Sequence, residues 1–266
     1  KYTMEESEKI IQQQRGTAFN PVIVDIISDM ISRKEFTPGQ SSDSFIKLKE
    51  KFLKADNKGD SDEQYRDGFT VSGIYPILRL FARVIDAKHG YTLGHSTRVS
   101  ILSKYIAQKA GFSAADVIKV EIAGLLHDAG KISIPNEVLD KTKPPDFNEW
   151  MIIKNHPVHS FDIIKNINMM NEIAEITKQH HERLDGSGYP DGITEKNIAV
   201  LAQIIAIADT FDAITSERAY RSRSDITKAY SEISKGAGIQ YNREFSKILT
   251  TTPEYYINAL FDMHLD

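Results

Sequence analysis

The chain has 266 residues, 41% of them apolar and 26% charged. That is an ordinary globular composition, long enough for a sizeable core and without the bias of a wholly disordered or fibrous chain. Its 33 basic and 37 acidic residues leave a net charge of −4, which excludes a chain-wide basic surface for a nucleic-acid polymer but leaves room for a local basic patch. There is no cysteine, so disulfides, thiol nucleophiles and Cys-ligated zinc are excluded, and any metal must be held by His and carboxylate.

In chain order, period-3.6 patterns dominate and no period-two alternation interrupts them, so the expected fold class is all-α. Residues 21–32 read as a helix with Pro21 in its first turn. Residues 45–54 read as a short amphipathic helix and 55–66 as a solvated linker. Residues 1–70 are therefore expected to be an N-terminal helical segment and linker. They hold no histidine and no active site of their own. Residues 71–266 are expected to be the main domain. Ile74, Ile77, Leu78, Leu80, Phe81 and Val84 form a broad apolar face. Ser113 and Asp116 read as a capping box opening a helix through Val117, Val120, Ala123, Leu125 and Leu126 into His127. Residues 141–146 are a loop broken by two prolines, and 185–192 a second loop with three glycines. Residues 198–214 read as a buried helix interrupted by Gln203, Asp209, Thr210 and Asp212.

The longest uncharged apolar stretch, residues 197–208, has 12 residues, where a membrane-spanning helix needs roughly 20. No signal-peptide pattern opens the chain, and the expected location is cytoplasmic. A weak repeat pairs Gly16, Phe19 and Asn20 with Gly238, Tyr241 and Asn242. Either these are two unrelated turns, or residues 1–35 are the tail of a preceding copy of the main domain.

The chemistry lies in the histidines, at positions 89, 95, 127, 156, 159, 180, 181 and 264. Any one of them alone reads as a satisfied core histidine, so the case rests on the set. His127 and Asp128 end an apolar helix. Adjacent helical residues project about 100° apart, so one metal reaches both only at a helix end. His180 follows Ile173 and Ile176 at helical spacing and points inward. Asp209 lies in an apolar helix with no basic neighbour, which makes it either paired across the fold or metal-bound. Together these residues offer enough donors for two ions, and a metal pair suits phosphodiester hydrolysis. Lys131, one turn past Asp128, faces either the same cleft or solvent. Arg218, Arg221 and Arg223 form a local basic cluster, suited to phosphate or simply solvated.

Taken together the motifs resemble the HD-GYP family of bacterial cyclic-dinucleotide phosphodiesterases. His127, Asp128 and Lys131 resemble its HD signature. The run from His180 through His181, Glu182, Arg183, Leu184, Asp185, Gly186, Ser187, Gly188 and Tyr189 to Pro190 resembles its GYP signature position for position. Supporting matches surround His95, Ile134, His156, Asp209 and Arg218, so the resemblance covers about residues 71–248. It implies an all-α HD-domain helical bundle with additional helices, and metal ligands at His95, His127, Asp128, His156, His180, His181 and Asp209. It gives Asp128 and Lys131 catalytic roles at the scissile phosphate. It implies substrate contacts from Tyr189, Arg218 and Arg221.

The expected cofactor is two divalent ions, iron or manganese first, with zinc, nickel or magnesium as alternatives. Two rather than three are expected because Tyr91 stands where some members carry Glu. Ala219 in place of a usual Pro, and residues 141–146 in place of a Lys-Pro-Gly turn, are further departures. The leading reading is hydrolysis of cyclic di-GMP to pGpG, and onward to GMP, by a metal-activated bridging hydroxide. The alternatives are another cyclic dinucleotide such as 3'3'-cyclic GMP-AMP, a catalytically silent receptor, or a nucleotide phosphohydrolase of the wider HD superfamily. Expected partners are the cyclic dinucleotide and no nucleic-acid polymer. A homodimer or contacts with cyclic-dinucleotide signalling proteins remain open.

Overall fold

A computed structural model describes residues 9, 12–13, 74–88, 94–139, 141, 143–167, 170–216 and 224–262. The helices expected at 21–32 and 45–54, the linker at 55–66 and the first half of the weak repeat lie outside the described residues. The chain divides into two compact units, Lys1–Ile77 and Leu78–Asp266, and the site described below lies in the second. In chain order the helices are α1 (Ile74–Lys88), α2 (His95–Lys109), α3 (Ala114–Leu126), α4 (Asn136–Leu139), α5 (Phe147–Lys154), α6 (His156–Ile164), α7 (Asn171–Lys178), α8 (Val200–Thr215), α9 (Ser224–Gly236), α10 (Arg243–Thr250) and α11 (Glu254–Asp262). Two 3-10 turns, Ala129–Ser133 and Glu195–Asn197, lie between them. Among the described residues there is no β-strand, only two isolated bridges, so the fold is an all-α bundle. No helix among them is long and apolar enough to cross a membrane.

The helix read from residues 198–214 is the centre of this bundle. Leu201 through Ala208 of α8 are all buried, as expected of a helix that is apolar on every side. It packs against α2, α3 and α9. Ile204, Ile205, Ile207 and Phe211 meet a core that includes Leu102, Ile106, Ile122, Leu125 and Leu126, all of them nearly or fully inaccessible. Each such side chain contributes about 1.5–3 kcal/mol of burial free energy. Helices α2 and α3 come close where Gly124 faces Ser100. A Cβ on Gly124 would lie 2.7 Å from the Ser100 Cα, so a larger residue would push the pair apart.

The helix ends set the positions of the site residues. Ser113 caps α3, accepting the Asp116 N–H and donating its hydroxyl to the Asp116 carboxylate at 2.8 Å. The helix then ends at Leu126 and releases His127 and Asp128 into a turn. No side chain of its own caps α2. Asp86 of α1 takes that role, accepting the Ser96 backbone N–H at 3.1 Å and its hydroxyl at 2.6 Å. This places His95 in the first turn of α2. Asp146 and Glu149 form a reciprocal capping box at the start of α5.

Candidate metal centre

Five helix ends or faces bring the expected donors together. His95 opens α2, His127 and Asp128 follow α3, His156 opens α6, His180 and His181 follow α7, and Asp209 projects from α8. Three donor groups have their atoms within 4.8 Å of one another: His95, His127 and Asp209; His127, Asp128 and His180; and His156, His180 and His181. His127, His156 and His180 are buried almost completely, while His181 lies at the mouth with 18% of its side chain exposed. His159 stays outside the cluster and pairs with Asn155.

The imidazoles are held in one sense. The Nδ1 of His127 contacts the Gly124 carbonyl at 2.8 Å, that of His156 the Ile153 carbonyl at 2.7 Å, and that of His180 the Thr177 carbonyl at 2.6 Å. A carbonyl only accepts, so each Nδ1 carries the proton and each Nε2 turns a bare lone pair inward. Yet the Nε2 atoms of His156 and His180 approach to 3.3 Å. Two bare lone pairs facing at that distance repel unless a cation lies between them. Donors about 2.1 Å from one ion stand roughly 3.0–3.4 Å apart at ordinary coordination angles, which matches the observed separation.

Asp128 joins the two sets. Its Oδ2 faces His127 at 3.4 Å and His95 at 3.5 Å, and its Oδ1 faces His156 at 3.2 Å. Oδ1 is buried and has no hydrogen-bond partner, an orphaned acceptor that a cation would satisfy. Asp209 approaches His95 at 3.3 Å and His181 at 3.7 Å. These residues fit a metal on their own geometry.

Burial opposes charge throughout, and the local partners decide the outcome. For His95, contacts with Asp128, Asp209 and Asp212 outweigh burial and hold its pKa well above the usual imidazole value. For His180, burial and the imidazoles of His181, His127 and His156 hold it well below. Burial alone would raise Asp128 and Asp209, but neighbouring histidines, with Lys131 in the case of Asp128, keep both carboxylates well below their usual value. Lys131 lies 2.6 Å from Asp128 Oδ2. That carboxylate outweighs burial and raises the ammonium pKa, so Lys131 stays charged at neutral pH.

Around the donors is a supporting shell that sequence reasoning passed over. Asp212 accepts from His95 Nδ1 at 2.7 Å and is gripped by Arg98 through two bonds of 2.6 and 3.0 Å. Such a carboxylate fixes the imidazole's orientation and raises its basicity. Its signal was available: like Asp209, it is a charge in an apolar helix. Glu182, also buried, accepts the backbone N–H groups of Asp191, Gly192 and Ile193 at 2.7, 3.1 and 3.1 Å. This folds the glycine-rich loop back beside the centre and brings Tyr189 to rest with its ring 4.6 Å from that of His181. Burial, with Asp209 and Asp128 nearby, pushes the Tyr189 phenol upward, so it remains a proton donor. Gly130 lets the turn after Asp128 lie on α6, since a Cβ there would meet the His156 carbonyl at 2.0 Å. Tyr91, Arg218 and Arg221 lie outside the described residues.

Comparison with known proteins places this geometry. The HD-domain family matches residues 79–245. A 3'3'-cGAMP-specific phosphodiesterase of Vibrio cholerae is 32% identical over 228 residues, covering 86% of this chain and 48% of that protein. A cyclic di-GMP phosphodiesterase of Thermotoga maritima is 36% identical over 173 residues, 64% of this chain and 47% of that one. The chain thus spans about half the length of the curated relatives it matches. The HD domain of the Listeria monocytogenes phosphodiesterase PgpH, solved in complex with cyclic-di-AMP, aligns at a TM-score of 0.51 and 20% identity, covering 69% of this chain and 97% of that domain. That is a likeness of fold.

Proposed function

The chain belongs to the HD-domain family, and from that premise we propose that it is a metal-dependent phosphodiesterase that opens cyclic dinucleotides, cyclic di-GMP to pGpG in the leading case. One observation carries the reading: the Asp128 carboxylate lies between two imidazole sets, one oxygen toward each, with Oδ1 otherwise unpartnered. This supports a pair of divalent ions. His95, His127 and Asp209 would hold one, His156, His180 and His181 the other, and Asp128 would be shared. His/carboxylate donors without thiolate suit iron or manganese, and zinc remains compatible. When bound, such ions lower the pKa of water and neutralise charge on the attacked phosphate.

The chain's own residues supply the rest. The Nδ1–H contacts of His127, His156 and His180 keep their donor atoms aimed inward before any ion arrives, so little reorganisation is needed. Asp212 does the same for His95. Hydrolysis joins the water oxygen to phosphorus and breaks the bond to the 3'-oxygen, which leaves with a proton. Lys131, charged and beside Asp128, would offset the negative charge that develops there. Tyr189, its phenol kept protonated, would donate to a phosphate oxygen. Arg218 and Arg221 remain the proposed holders of the second phosphodiester.

A second reading takes 3'3'-cyclic GMP-AMP as substrate. It is favoured by the 32% identity to a relative of that stated specificity over most of this chain. Metal analysis of protein prepared anaerobically with iron or manganese, together with product chromatography on cyclic di-GMP, 3'3'-cyclic GMP-AMP and cyclic di-AMP, tests both. A linear dinucleotide from one of the three is expected, with about two ions per chain. Protein that holds ions but cleaves none of them would overturn the substrate class, and protein that holds no ion would overturn the mechanism.

A further inference from the structure

Beyond the metal donors and Tyr189, the centre opens onto an aromatic ring that the proposed chemistry does not use, that of Trp150. The Tyr189 ring leans on that of His181, and the Trp150 ring meets Tyr189 edge-on at 6.3 Å. Lys154, one turn along α5 from Trp150, holds its ammonium 5.7 Å from the centre of the Trp150 ring and 5.3 Å from that of Tyr189. No residue of α5 is buried. Trp150 is 41% exposed, and Phe147 and Met151 beside it are 76% and 51% exposed. A large aromatic ring usually hides most of its surface in a core. Here it is held in the open, two ring contacts from a proposed metal ligand, on a short helix fixed by its own capping box.

What covers such a ring must be within reach of the centre as well. A ligand that carries a phosphodiester and a flat π-system on one small frame satisfies both demands. We propose that Trp150 is the platform on which one nucleobase of the substrate stacks while its phosphodiester lies at the centre. This rests on the phosphodiesterase reading above and adds the residue that binds the base. Stacking on an aromatic face accepts any base, because every base has a π-face, so the platform takes guanine or adenine alike. It provides affinity, and the choice between bases belongs to other contacts. Lys154 is a positioning residue. Its ammonium lies over both rings and holds the angle between Trp150 and Tyr189 through cation–π attraction.

The chain offers its own probe, since Trp150 is the only tryptophan. Titrating the metal-loaded full chain with a hydrolysis-resistant phosphorothioate cyclic dinucleotide is expected to quench tryptophan fluorescence to saturation, at the same midpoint that calorimetry gives for binding. Trp150→Ala should raise KM for the cleaved cyclic dinucleotide by about 5- to 100-fold. Its kcat, metal content and melting temperature should stay close to those of the parent, and Trp150→Phe should recover most of the lost affinity. Binding seen by calorimetry without quenching overturns the platform, as does an unchanged KM in Trp150→Ala. In either case a parent protein that still cleaves cyclic dinucleotides leaves the phosphodiesterase reading standing. A parent that neither binds nor cleaves any cyclic dinucleotide overturns that reading and the platform with it.

Discussion

His127, His156 and His180 are at most 1% exposed, and each is pinned through Nδ1 to a backbone carbonyl, whereas Trp150 and Phe147, on the helix just before His156, are 41% and 76% exposed. The centre is assembled from the core: its donors extend from α8, from α2, α3 and α7 packed on α8, and from α6 packed on α7 and the turn after Asp128, and moving one means repacking the bundle. The rim is assembled locally. The capping box of Asp146 and Glu149 starts α5, and the Glu182 carboxylate gathers the loop that carries Tyr189. The contrast assigns the two tasks of such an enzyme to different physics. Donor positions that must hold to a fraction of an ångström are fixed by burial. Surfaces that meet the variable part of a ligand are fixed by a few local hydrogen bonds, where a substitution changes recognition without unfolding the domain.

The sharpest way to break this contrast is at its most shared donor, which is itself buried. Asp128→Asn keeps the side chain's shape, removes its charge and replaces one carboxylate oxygen with an N–H₂ that has no lone pair to offer a cation. Metal content should fall below that of the parent at both halves of the centre. Turnover should drop by more than about a hundredfold, the upper end of what is lost when only a supporting residue is changed. The circular dichroism of the bundle should be unaltered. A variant that keeps full metal content and turnover would show that Asp128 is a structural partner of Lys131 and no more.

A milder test is Asp212→Asn. Here the donor His95 remains, but the carboxylate that orients it, itself clamped by Arg98, loses its charge. A loss of about 10- to 100-fold in metal affinity or activity is expected. It should appear in kcat and metal occupancy, with KM for the cyclic dinucleotide left alone because the rim is untouched. A change confined to KM would mean that centre and rim are not separable in this way.

The sequence pattern revealed the centre far better than the rim, and the reason is physical. Buried donors interrupt apolar periodicity: His127 at the end of an apolar run, His180 in register with Ile173 and Ile176, and Asp209 inside α8 each break a pattern that burial imposes. The same pattern placed α3 and α8 within a residue or two of their observed ends, while the loop read at 185–192 lies inside a longer stretch between Lys178 and Glu195. Asp212 gave the same signal as Asp209 but lacked a separate role until its contact with His95 was seen. Glu182 stood inside the quoted GYP run, yet its work is to bind three backbone N–H groups nine to eleven residues on, which no spacing rule foretells. Trp150 broke nothing, because an exposed tryptophan on a short helix with no one-sided apolar face reads like any surface residue until its neighbours in space are known. The capping box from Asp146 to Glu149 was legible and would have marked the start of α5.

The smallest expected effect probes that cap, and it is read by the ring it positions. Glu149 accepts the Asp146 backbone N–H at 2.7 Å, and Lys141 reaches it at 2.7 Å. The Lys141 contact first, and the Asp146 N–H second, hold the Glu149 carboxyl below its usual range. A depressed acid contributes stability that is complete above its unfolded value, about 4.3, and is lost as pH falls through the lower folded value. Between neutral pH and about 4.3 the cap should therefore be indifferent to acid. Below that, α5 should loosen at its first turn, and the emission of Trp150 should shift toward that of a solvated indole in a small step. In Glu149→Ala the cap is already missing, so the indole should begin in the solvated state at neutral pH and show no separate acid step. Salt should weaken the step in the parent, because both Glu149 and Lys141 are near the surface, where such pairs are screened. If the parent and Glu149→Ala titrate identically, the rim takes its order from the buried centre after all, and the division of labour between the two regions fails at its weakest point.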